Sequence, residues 1–218
     1  MKINYDKLCF IHIPKTGGNS IKHAIKHSDL KPKSIFTGPL LHSNHCHYFL
    51  DCGHAPYDAC KKFLPKYDKI LTVAFVRNTW DRMVSLYLHQ KKIRTIKNTV
   101  SFHEFLDNLV DGKMLCSASQ LHFITELQDG FKHPRNLAYN DEYKYNTNIA
   151  IDYICRFENI NYEWFFINKL MGIDNPPGLP HHNSSRNRGH YRHYYTSCLR
   201  DCIYKHFQQE IDFFRFEF

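Results

Sequence analysis

Residues 10–25 read FIHIPKTGGNSIKHAI. An apolar run from Leu8 to Ile13 stops at Pro14. Lys15, Thr16, Gly17, Gly18, Asn19 and Ser20 follow, and then Ile21, Ala24 and Ile25 recur at the spacing of one helix face. Strand, glycine turn and helix together make an anion cradle. Glycine lets the backbone come close, the first helical N–H groups have no intrahelical partner, and the helix dipole favours negative charge. Lys15, Thr16, Asn19 and Ser20 add side-chain donors. A plain strand-to-helix turn also uses glycine pairs, but a lysine and three small polar residues around this pair favour an anion. The lysine precedes the glycines, so the loop is not the G-x-x-x-x-G-K-[ST] of nucleoside triphosphatases.

A second candidate is Arg77 with Ser85. Arg77 ends the apolar stretch KILTVAFV, where an unpaired charge is costly. Ser85 lies about two helical turns on, opposite Trp80, Met83 and Val84, so the two could grip one phosphate. A structural ion pair of Arg77 with Asp81 or Glu158 explains the arginine equally well. A kinase of this architecture needs a magnesium-binding acid near such a strand end. Arg77 and Asn78 stand there instead, so no metal is expected.

The elements that must position these groups alternate. Strands are predicted at Lys7–Ile13, Lys69–Val76 and across IAIDYICRFE (149–158). Helices are predicted at Asn19–His27, around Tyr57–Phe63, along RNTWDRMVSLYLHQKK (77–92), along SFHEFLDNLV (101–110), and along NYEWFFINKLMGI (161–173). A last helix is expected from Thr196 to about Phe214. Ser101 stands three residues before Glu104, a capping-box signature. Strands alternating with helices imply an α/β fold with a central parallel sheet flanked by helices. Ligands of such sheets sit at the carboxyl ends of strands, where Lys15 and Arg77 both fall.

A chain of 218 residues suits one domain, 1–218, with a real core. No apolar run approaches the roughly 20 residues of a membrane span. A net charge of +8 points to anionic partners. Eight cysteines occur without a C-x-x-C pair, and Cys9 and Cys155 sit inside apolar runs as reduced core residues. The segment His42–Cys60 concentrates four histidines and three cysteines, but at no standard zinc-finger spacing.

IPKTGGNS followed by FVRNTWDRMVSLYLH closely resembles the membrane-type carbohydrate sulfotransferases, including those acting on heparan and chondroitin. The likeness continues through RFENI, LPHHNSSRNRGHYRHYY and a final helix ending on IDFF. It is weakest across 28–50 and 95–148. Asn19 stands where the family often has Thr, and Thr79 where it usually has Pro.

The resemblance implies a sulfotransferase fold, related to that of P-loop proteins, and 3′-phosphoadenylyl sulfate (PAPS) as sulfuryl donor. Lys15, Thr16, Gly17, Gly18, Asn19 and Ser20 would hold the 5′-phosphosulfate, and Arg77 and Ser85 the 3′-phosphate. His182, Ser185 and Arg186 match a stretch that contacts PAPS in relatives. GHAPYDACKKF matches the family's catalytic stretch, which makes His54 the general base and Lys15 the group that stabilises the leaving phosphate. His89 matches a position that contacts acceptor sugar.

The implied reaction is sulfuryl transfer to a hydroxyl of a glycan or other acceptor, leaving 3′-phosphoadenosine 5′-phosphate (PAP). A kinase or small-molecule sulfotransferase of the same fold, or a non-catalytic polyanion-binding protein, are the alternatives. Nucleic acid is not an expected partner. The expected compartment is the cytoplasm, or the Golgi lumen if the sequence belongs to a longer, anchored protein.

Overall fold

A computed structural model describes residues 5, 7–26, 35–36, 54, 56–61, 69–111, 118–126, 148–180 and 188–218. They gather in two compact units. The first holds the described residues of 5–76, 121–126 and 148–180, and the second those of 77–120 and 188–218.

The first unit holds the sheet. Strands β1 (Lys7–Ile11), β2 (Ile35–Phe36), β3 (Ile70–Val76) and β4 (Tyr153–Arg156) are all parallel, in the order β2-β1-β3-β4. Alternation along the strands sorts their side chains. Leu8 and Phe10 of β1, Leu71, Val73 and Phe75 of β3, and Cys155 of β4 share one face. There they bury against Ile21 and Ala24 of helix α1 (Gly18–Lys26) and Trp164 and Ile167 of helix α6 (Ile160–Leu170). Each fully buried Phe or Leu of this kind contributes roughly 1.5–3 kcal/mol. The short helix α2 (Tyr57–Cys60) serves the opposite face. Burial raises the Tyr57 hydroxyl's pKa, and Cys9 and Asp152 add to the effect. Cys9 and Cys155 are thiols outside any disulfide and have no exposed surface, as expected of core residues.

The boundaries of β1, α1 and β4 depart from expectation. β1 ends at Ile11, and α1 starts at Gly18 because the Gly17 carbonyl already accepts from Ser20 and Ile21 N–H. β4 is only four residues long, where a ten-residue run was predicted. Asp152 is the reason. Its Oδ2 accepts from both the N–H and the hydroxyl of Thr72 (2.7 Å each), and its own N–H donates to Thr72 Oγ1 and O (2.9 and 3.1 Å). This side-chain clasp takes the place of ladder bonds ahead of Tyr153. Ile149 pairs only in an isolated antiparallel bridge with Thr125, just after helix α5 (Leu121–Ile124).

The second unit is helical. Helix α3 (Thr79–Lys92) starts where Asn78 Oδ1 accepts from Asp81 N–H, and His89, Lys91 and Lys92 complement the dipole at its end. Helix α4 (Phe102–Val110) is capped by Ser101, whose hydroxyl accepts from Glu104 N–H (3.1 Å). Its buried Phe102 and Phe105 each lie 5.3 Å from the Tyr87 ring. The expected single C-terminal helix is two, α7 (Ser197–His206) and α8 (Gln208–Phe214), broken at Phe207 (φ −112°, ψ 25°). Phe207 is buried with Arg82 over its ring. The break re-aims the buried face from Leu199 and Ile203 to Glu210, Ile211 and Phe214.

Candidate active site

In the first unit the chain leaves β1 through His12 and Ile13 and turns at Pro14–Gly17. Lys15 (φ 70°) and Gly17 (φ 88°) adopt the left-handed conformation, which occurs in the backbone nests that bind anions. No acid occupies the first turn of α1, so its positive end is not internally compensated. The Thr16 hydroxyl is buried and donates to Ile13 O (2.9 Å), closing the loop on itself. Both glycines are also demanded by packing. A Cβ on Gly17 would lie 2.6 Å from Ile160 Cδ1, and one on Gly18 would lie 2.1 Å from His12 Cδ2.

His12 is buried against this loop, stacked on Phe10 (5.8 Å between ring centres) and 4.2 Å from the His54 ring. Burial lowers its imidazole pKa well below the usual value, and electrostatic interactions with His54, Lys22 and Lys15 act in the same direction. His54 itself sits at φ 86°, with Nδ1 2.8 Å from the His12 carbonyl oxygen. A carbonyl only accepts, so the contact assigns the proton of neutral His54 to Nδ1 and the lone pair to Nε2.

In the second unit Arg77 follows β3 directly. Its Nε and Nη2 both lie 2.7 Å from Asp81 Oδ2, and Arg188 Nη2 pairs with Asp81 Oδ1. Arg77 is 7% exposed. Two guanidinium groups share one carboxylate, which leaves a net positive cluster. Burial lowers the Arg188 pKa, and its neighbour Arg77 adds to the effect. Ser85 is half-buried one turn beyond Asp81 on α3, with His89 one turn further.

A model of the sulfotransferase family matches residues 3–217. The chain belongs to the sulfotransferase family. No curated protein sequence matches it. Among solved structures it is similar to the crystal structure of mouse sulfotransferase SULT7A1 complexed with PAP, at 14% identity and a TM-score of 0.58. The match covers 94% of this chain and 84% of that one. That likeness shows a sulfotransferase fold, in agreement with the α/β architecture expected from sequence.

Within this sulfotransferase the loop residues Lys15–Ser20 and His54 fall together in the first unit, and Arg77, Ser85 and His89 in the second. His182, Ser185 and Arg186 lie outside the described residues, as do His42, His45 and His47. Asp81, one of the two acids expected as a structural partner of Arg77, pairs with it. Two residues were missed. Arg188, in the same RNRG stretch as Arg186, joins Arg77 on Asp81. His12 was passed over as part of the strand, although a histidine two residues before PKTGG is visible in the sequence. Among the described residues no group of three or more His, Cys, Asp or Glu could hold a metal ion. No helix among them is long and apolar enough to cross a membrane.

Proposed function

We propose that this sulfotransferase moves a sulfuryl group from PAPS to a hydroxyl of a glycan acceptor, with His54 as general base and Lys15 at the leaving phosphate. The observation that carries the reading is the contact of His54 Nδ1 with the His12 carbonyl, which fixes the tautomer a base needs, in the same unit as the Lys15 loop. Family membership supports the reaction class. The PAP carried by the fold neighbour supports the donor.

The residues fit such a donor. Its 5′-phosphosulfate suits Lys15–Ser20, where the α1 terminus and the left-handed loop offer backbone donors. Its 3′-phosphate suits Arg77 and Ser85, with Arg188 as a further cation. His182, Ser185 and Arg186 are assigned to the nucleotide, and His89 to the acceptor, from the family match. PAPS when bound supplies the sulfuryl group. His54 Nε2 takes the acceptor hydroxyl's proton, and Lys15 faces the negative charge that builds on the leaving oxygen. The charge of +8 suits an anionic acceptor.

Calorimetric titration with PAP, without metal and beside ATP, is the first test. Wild type is expected to bind PAP and not ATP, and Arg77→Ala to lose most of that affinity. On an acceptor panel His54→Ala should reduce turnover by about 10²–10⁴-fold with PAP affinity kept. A folded protein that ignores PAP sinks the proposal. Wild-type turnover in His54→Ala removes the base assignment.

A further inference from the structure

A buried hydrogen-bond network in the second unit has no part in the roles assigned above. Arg77 follows directly after β3 and is buried, where a main-chain N–H or C=O left bare is costly. The side chain of Gln120 takes both. Arg77 N–H donates to Gln120 Oε1 (2.8 Å), and Gln120 Nε2 donates to Arg77 O (2.9 Å), as a neighbouring strand residue would. The second Nε2 proton goes to Glu210 Oε1 (2.6 Å). Turning the carboxamide over would set its oxygen against two acceptors, so the orientation is fixed.

Glu210 is 1% exposed and is compensated on both oxygens. Oε1 also accepts from the Thr79 hydroxyl (2.6 Å), while Oε2 accepts from the Ser119 hydroxyl (2.8 Å) and Gln120 N–H (2.5 Å). Arg82 Nη2 stands 3.9 Å from Oε2 and donates to Ala118 O (2.9 Å). Such a carboxylate is a rigid hub, because every neighbour is a donor. It holds Thr79 directly and Arg77 through Gln120, which pins the turn Arg77–Asn78–Thr79 from both ends.

We infer that Gln120 and Glu210 are positioning residues that set the backbone of Arg77, and with it the direction of the guanidinium toward the 3′-phosphate. The inference rests on the assignment of Arg77 to that phosphate. The clamp acts on one group of the ligand only. PAP and AMP share adenosine and a 5′-phosphate, and PAP alone carries the 3′-phosphate, so their affinity ratio isolates Arg77.

The test titrates PAP and AMP into wild type, Gln120→Met, Glu210→Gln and Arg77→Ala. Gln120→Met keeps the side chain's length and removes both bonds to Arg77. Its PAP affinity should fall about tenfold, the loss of one or two buried hydrogen bonds. Its AMP affinity should stay within about twofold, since that ligand makes no use of the clamped group. Added to Arg77→Ala, Gln120→Met should cost PAP nothing more. Equal losses for both ligands, or no loss for either, overturn the clamp. If Arg77→Ala binds PAP like wild type, the phosphate assignment itself fails. If Arg77→Ala loses the ratio and Gln120→Met keeps it, only the clamp fails. Hydrogen exchange on wild type guards against variants that do not fold. The Arg77 N–H must be strongly protected, and free exchange there overturns the clamp whatever the variants do.

Discussion

The Lys15 loop and the Arg77 cluster are both suited to hold a negative group, yet they are organised by opposite means. The loop is shaped by what it lacks. Two glycines leave space that His12, Phe157 and Ile160 fill, and one buried hydroxyl, Thr16, ties the turn to Ile13. The Arg77 cluster is shaped by what it contains, a carboxylate shared by two guanidinium groups and a main chain held by a buried carboxamide. Steric shaping tolerates no added atom and is insensitive to salt. Polar shaping tolerates changes of volume but not the loss of one partner.

The sharpest break of that contrast is Gly18→Ala. The new Cβ would meet the His12 ring at 2.1 Å, so the ring or the loop must move. Thermal unfolding should show a loss of about 1–3 kcal/mol, the usual range for overpacking, together with weakened PAP binding. The double variant Gly18→Ala/His12→Ala should recover much of both, and full additivity of the two changes would remove the steric account.

Acid is expected to act next most strongly. Burial pushes His122 down to about 4 against an opposing pull from Asp58, and pushes His206 down to about 4; His12 is also lowered well below its usual value. Unfolded imidazoles take up protons near 6.5, so between about pH 6.5 and 4 the unfolded chain binds more protons than the folded one. The stability these imidazoles contribute should therefore fall as the pH drops through that window. Neither His122 ring nitrogen has a hydrogen-bond partner among the described residues. His122→Phe should hold stability at pH 7.5 and flatten the urea-unfolding slope by up to about one proton. An unchanged slope would show His122 protonated in the fold.

Thr16→Val should have the smallest effect, about 1 kcal/mol from the lost bond to Ile13 O. A much larger loss of PAP affinity than of stability would mean that the hydroxyl serves the ligand as well as the turn.

These outcomes bear on what the sequence could disclose. β3 and α3 were legible because ILTVAFV and the stripe of Trp80, Met83, Val84 and Tyr87 carry their periodicity locally, and the Ser101 cap needs only its own turn. The Lys15 loop was legible for the same reason. Gln120 and Glu210 were not, because a clamp spanning 43 residues to Arg77 and 131 to Thr79 leaves no trace in spacing or period. The break at Phe207 escaped because apolar spacing continues across it. Arg188 was missed because its partner Asp81 lies far away in the sequence, and nothing within RNRG marks that pairing.

The clasp between Thr72 and Asp152 joins segments 80 residues apart. As the chain emerges from the ribosome, β3 can pair with β1 while its other edge has no strand to meet until residues 152–156 have been made. For that interval the free edge belongs to ILTVAFV, a β-branched, uncharged segment of the kind that templates aggregation. The yield of folded protein should thus depend on how soon β4 arrives, and slowing translation between Val76 and Asp152 should lower it.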